Sequence, residues 1–134
     1  MSDRIVRRLA RLQAQAAGSG VSLVAIAPTA AMRYLLGFAP LADERLCVLL
    51  ITPQNRCLVA PDLTAPQIEA RTGMETIRWA DAGGPRQAVE EAARLLDLGS
   101  GTVLAADAAM RADALLLLQE VVDPVRSVSP DVIM

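Results

Sequence analysis

Histidine and lysine are both absent, so every one of the 13 basic side chains is arginine. Their absence removes Ser-His-Asp and Cys-His catalysis, Ser-Lys dyads and Schiff-base chemistry, each of which needs an imidazole or an amine. It also removes the phosphate-binding loop that closes on Gly-Lys-Ser/Thr and any histidine-based zinc site. Aromatic residues are scarce at 2%. No apolar run approaches the ~20 residues that a membrane helix requires, so no membrane partner is expected. The first segment, MSDRIVRRLARLQ, is amphipathic and charged and has no secretory apolar core, which leads to the expectation of a cytoplasmic protein. A net charge of −2 gives no general basic field for nucleic acid.

What is present is apolar. The hydrophobic fraction is 53% over 134 residues, enough for one domain that buries about two-thirds of its unfolded surface. Such a composition without a membrane span fits a sheet covered on both faces, or a surface covered by another domain or subunit. Ser2 or Asp3 is placed to cap a helix through about Ala17, with Ile5, Val6, Leu9, Leu12 and Ala16 inward. Arg4, Arg7, Arg8 and Arg11 lie largely on its other side, where they form a solvated face or meet an anion or an acidic partner. Gly18-Ser19-Gly20 ends that helix, and Val21–Ala27 reads as a buried strand.

Thr52-Pro53-Gln54-Asn55 is a turn between strands Arg45–Ile51 and Arg56–Ala60, which predicts an antiparallel hairpin. A two- or four-residue loop sets Cys57 opposite Leu50 and Cys47 opposite Ala60, with the thiols on opposite faces. A three-residue loop sets both on one face but about 13 Å apart along the strand. Neither register permits a disulfide, so two free thiols are expected. A helix over about Ala65–Thr72, a strand at Glu75–Trp79 and a helix from Pro85 through about Asp97 follow. A strand at Thr102–Ala105, a helix from Asp107 through about Val121 and a last strand at Pro124–Val128 complete the alternation.

Two phosphate signals are weak: Gly83-Gly84 suits ordinary capping, and Gly99-Ser100-Gly101 precedes its strand instead of following it. Asp62, Asp81 and Asp107 each follow a strand. Together they could hold Mg²⁺, as in receiver domains or ribonuclease-H-type nucleases, or each could serve a turn or N-cap. The run LLLLQEVV (115–122) is apolar nearly all round, which predicts burial by the sheet and by something else. Ser129-Pro130-Asp131 has the order of an N-cap, a first-turn proline and a first-turn acid, so a further helix is announced there.

The stretch MRYLLGFAPLADERLCVLL (32–50) holds both Tyr34 and Phe38, the sole Tyr and Phe of the chain. Thr29 can cap a short helix to Leu36, and Gly37 can end it in the left-handed conformation. Sparse aromatics gathered at one helix end fit either a contact surface or a packed corner. The pattern R-Y-L-x-G-F…E-R-x-x-V-L-L-I-T resembles the N-terminal domain of the creatinase/prolidase/aminopeptidase P family. The resemblance runs from the opening Arg/Leu helix through V-S-L-V-A-I-A-P to V-S-P-D-V-I-M.

That resemblance implies a three-layer α/β/α fold on a mixed, ribonuclease-H-like sheet over residues 1–128. Residues 129–134 would then open the linker to a C-terminal catalytic domain. It implies a parent hydrolase acting on the bond before proline in peptides, or on C–N bonds of small amidino or amide compounds. Two divalent metals (Mn, Co or Zn), held by Asp, Glu and His of the C-terminal domain, would be its cofactors. No metal ligand and no catalytic residue of that set is carried by this chain. The implied role is homodimerisation and shaping of the neighbouring subunit's active-site entrance. Tyr34, Gly37 and Phe38 match the family box, and Arg45 matches an arginine common before the next strand. The candidate entrance or interface residues are therefore Tyr34, Phe38, Asp43, Glu44 and Arg45. Arg45 could approach a substrate carboxylate through its bidentate fork, or pair with Asp43 or Glu44. Leu36 stands where the family often has Thr, which leaves the branch open. A free-standing α/β binding or assembly module is the alternative reading.

Overall fold

The computed structural model describes residues 1–132. Helix α1 (Asp3–Gly18) starts where the Ser2 hydroxyl accepts a hydrogen bond from the Ile5 amide at 3.3 Å. Ile5, Leu9, Leu12 and Ala16 form its buried stripe, at the i, i+4, i+7, i+11 spacing of one helix face. Val6, expected inward, is 45% exposed; it lies one residue, about 100° of helix, off that stripe.

Strand β1 (Leu23–Ile26) leads into α2 (Ala30–Leu36), capped by Thr29 Oγ1 accepting from the Ala31 amide at 3.2 Å. Gly37 ends α2 at φ 75°, as its left-handed role requires. Strands β2 (Val48–Ile51) and β3 (Arg56–Pro61) form the expected hairpin. β2 is shorter than anticipated, since Arg45 to Cys47 lie in the approach and not in the ladder. Helix α3 (Ala65–Thr72), β4 (Thr76–Trp79), α4 (Arg86–Leu95) and β5 (Val103–Ala106) follow. Helix α5 (Ala112–Val122), β6 (Arg126–Val128) and a 3₁₀ turn at Pro130–Val132 complete the order. In that turn Ser129 Oγ accepts from the Asp131 amide; continuation of the announced helix lies outside the described residues.

The six strands form one sheet in the order β4-β3-β2-β1-β5-β6, in which β2 alone runs antiparallel to its neighbours. Side chains alternate across it, so β1 sends Val24 and Ile26 to one face and Leu23 and Ala25 to the other. The first face is covered by α1, α2 and α3, the second by α4 and α5. The result is the α/β/α sandwich on a mixed sheet that the alternation predicted. Leu50 pairs with Cys57 in the hairpin, so Cys47 packs in the first core and Cys57 against the second. Both are free thiols.

Two expectations about α5 change. It begins at Ala112, not Asp107: one Asp107 oxygen is held by the loop after β1, and the other accepts from the Ala109 amide in a turn that precedes the helix. Of LLLLQEVV, Leu118 and Val122 are buried while Leu116 is 59% exposed. Four consecutive leucines span the whole circumference of a helix, so one must face away from the sheet.

Candidate functional site

Adjacent strands β1 and β5 run parallel, but β1 feeds α2 on one face and β5 feeds α5 on the other. Diverging connections of this kind open a crevice beyond the carboxyl ends of the strands. A cleft of about 200 Å³ lies there, bordered by Pro28 and Thr29, the loop Ala42–Cys47, Trp79, Arg111, and Asp113, Ala114 and Leu117 of α5.

Asp107 ties its two walls together. One carboxylate oxygen accepts from the Ala27 amide at 3.2 Å and from the Thr29 hydroxyl, and the other accepts from the Ala109 amide at 2.9 Å. The Asp107 amide itself donates to Ala25 O at 2.8 Å. The floor is apolar. Trp79 is buried there and donates its indole N–H to Leu46 O at 2.9 Å, fixing the approach to β2.

The rim carries charge in matched pairs. Arg45 places Nε and Nη2 each 3.1 Å from the two oxygens of Asp81, a bidentate fork, with Glu44 a further 3.6 Å contact. Asp43 accepts from the Arg45 amide at 2.9 Å, which turns the loop. Arg111 makes a second fork to Asp113 at 3.1 and 3.2 Å. The hydrogen bond from Arg45 holds the Asp81 carboxyl below its usual range, and Arg111 does the same to Asp113. Both guanidiniums are pushed up in turn, chiefly by those hydrogen bonds. Cys47, in the cleft wall, is pushed up to about 12 by burial, with Asp43 adding to it. It is a neutral thiol at physiological pH and no nucleophile.

The sequence candidates fall in separate places. Asp43, Glu44 and Arg45 border the cleft. Phe38 packs against the first core beneath the Arg71 guanidinium, 4.6 Å from its ring centre. Tyr34 lies against α1, with Arg8 stacked 4.2 Å from its ring centre and donating to its carbonyl. Asp81, 36 residues from Arg45, was visible in sequence as a strand-end acid but not as its partner. Trp79, Arg111 and Asp113 carried no sequence signal for this site beyond their positions near strand ends and helix starts.

No group of three or more His, Cys, Asp or Glu among the described residues is arranged to hold a metal ion. Asp81 is held by the Arg45 fork and Asp107 by Ala27, Thr29 and Ala109. No helix among the described residues is long and apolar enough to cross a membrane.

A mixed α/β/α sandwich with a crevice where the connections of β1 and β5 diverge defines the class. The Creatinase/Prolidase N-terminal domain family matches residues 8–131, and the chain belongs to it. Among solved structures, the dipeptidase PepE of Mycobacterium ulcerans is 25% identical with a TM-score of 0.80, over 96% of this chain and 35% of that one. A prolidase from Thermococcus sibiricus superposes at 0.85 with 24% identity, over 99% of this chain and 36% of its own. The creatinase/prolidase N-terminal domain of an X-Pro dipeptidase from Streptococcus pyogenes superposes at 0.80 with 16% identity, over 94% of this chain and 96% of its own. The chain thus spans about a third of the length of the first two. None of the curated proteins compared with it matches its sequence.

Proposed function

We propose that the chain is the non-catalytic N-terminal domain of an Xaa-Pro metallopeptidase of the aminopeptidase P or prolidase kind. It serves dimerisation and shapes the entrance of the neighbouring subunit's active site. The divalent metals and their ligands belong to a catalytic domain beyond this chain, and peptide substrate is met only in that assembly. The observation that carries the reading is family membership across residues 8–131, together with a cleft rimmed by the loop that follows the Y-L-x-G-F box.

In this reading Arg45 acts from within an ion pair. Its fork is already closed on Asp81, so a substrate carboxylate would have to compete with Asp81 or be met at the remaining N–H of a pre-oriented guanidinium. Orientation by a carboxylate lowers the entropy cost of a later contact. The test is steady-state hydrolysis of an Ala-Pro dipeptide by the full-length parent carrying Arg45→Met. Because Arg45 sits in an exposed ion pair, the expected result is an unchanged melting temperature with KM raised about tenfold. An unchanged KM would overturn the entrance role.

A further inference from the structure

The charges of this domain are sorted by layer. Helices α1, α2 and α3 carry Arg4, Arg7, Arg8, Arg11, Arg33 and Arg71 against two carboxylates, Asp3 and Glu69. Glu69 is itself taken by Arg78 of β4. Helices α4 and α5 carry the reverse: Arg86 and Arg94 against Glu90, Glu91, Asp113 and Glu120. A chain of net charge −2 thus presents one distinctly positive face. Arg4, Arg7 and Arg11 are exposed on one stripe of α1, and together with Arg8 and Tyr34 they line a shallow open depression.

None of these stripe arginines has a carboxylate within salt-bridge distance among the described residues, whereas the cleft-rim arginines, Arg45 and Arg111, are paired. The apolar side of α1 is spent on the core, so the helix has no face left to enter a bilayer. Nucleic acid fits less well, because the rings of Tyr34 and Phe38 are each already covered on one face by Arg8 and Arg71, which leaves at most one face of each for a base to stack on. What remains complementary is a local cluster of carboxylates: arginine forks read them bidentately, without needing a base or a lipid.

We propose that the exposed α1 stripe, Arg4-Arg7-Arg11 beside the Arg8–Tyr34 stack, is a docking surface for a carboxylate-rich protein segment. It lies on the layer opposite the helices that border the cleft and does not depend on the entrance role proposed above. The test is fluorescence anisotropy of the chain with a fluorescein-labelled (Glu-Ala)₆ peptide at low and high salt. A ten-nucleotide oligo-U RNA and phosphatidylserine vesicles serve as competing probes. The triple variant Arg4→Gln/Arg7→Gln/Arg11→Gln should weaken peptide binding about tenfold or more at low salt and flatten its salt dependence. The control pair Arg94→Gln/Arg126→Gln should leave binding unchanged. All five positions are exposed, and thermal melts verify that each variant folds. Equal binding by the wild type and the triple variant would overturn the proposal. So would RNA or vesicle binding stronger than peptide binding and lost in the same variant, which would reassign the surface.

Discussion

The two faces of the sheet are covered in different ways. On the α1–α3 face buried Leu9, Leu12, Met32, Leu35 and Ile68 point in and arginines point out, with Val6 and Tyr34 the exposed exceptions. On the α4–α5 face the apolar residues outnumber the positions that can be buried, and Leu95, Leu116 and Val125 stay 59%, 59% and 70% exposed. The first layer presents mainly charge to its outside. The second retains apolar surface of the kind that a neighbouring domain or subunit would cover, which is the arrangement the proposed role requires.

The sharpest test of this comparison is truncation. Leu9→Ala and Leu118→Ala, each removing a fully buried side chain, should cost about 3 kcal/mol in urea denaturation. Leu116→Ala, on the same helix as Leu118, should cost less than about 0.5 kcal/mol. A large loss at Leu116 would mean that the second face is sealed in solution, by self-association or otherwise.

Next in size is the link between the walls of the cleft. Asp107→Ala leaves the Ala27 amide and the Thr29 hydroxyl without their acceptor and should cost about 2 kcal/mol. Thr29→Ala, which removes the α2 cap as well as a donor to Asp107, should cost about 1–2 kcal/mol. Loss of stability well below 1 kcal/mol for Asp107→Ala would show that the two loops are held by packing alone.

The thiols give the finest comparison, since one lies in each core. Burial pushes Cys47 up to about 12 and Cys57 up to about 11. In both, the protonated form is favoured by folding, so stability is fully present below the unfolded value near 9 and is lost as pH rises toward those folded values. Melting temperature should therefore fall above pH 9, and Cys47→Ala should flatten that fall more than Cys57→Ala. With a disulfide reagent at pH 8, half-buried Cys57 should react first and Cys47 only on unfolding. Equal rates would contradict the tighter seal of the first face.

Local pattern made much of the fold legible. The α1 stripe and the Thr29 and Gly37 ends of α2 follow from spacing and turn chemistry within a few residues, whereas spacing left two hairpin registers open, of which the structure has Cys57 opposite Leu50. Misplacement arose where a distant partner decides. Asp107 has the look of an N-cap, yet its carboxylate serves the loop after β1, some 80 residues away, and α5 starts later. The Arg45–Asp81 fork spans 36 residues and depends on β4 lying beside β3, which periodicity does not encode. Tyr34 and Phe38 are neighbours in sequence but face different arginines, because the Gly37 reversal redirects the chain between them.

The most direct measurement is the reading frame of the source gene past the codon for Met134. The account predicts that it continues for a few hundred residues containing a spaced Asp…Asp…His…Glu…Glu set, the ligands that this chain does not carry. Termination at Met134 would contradict the proposed peptidase role and leave a binding module of the creatinase/prolidase N-terminal fold.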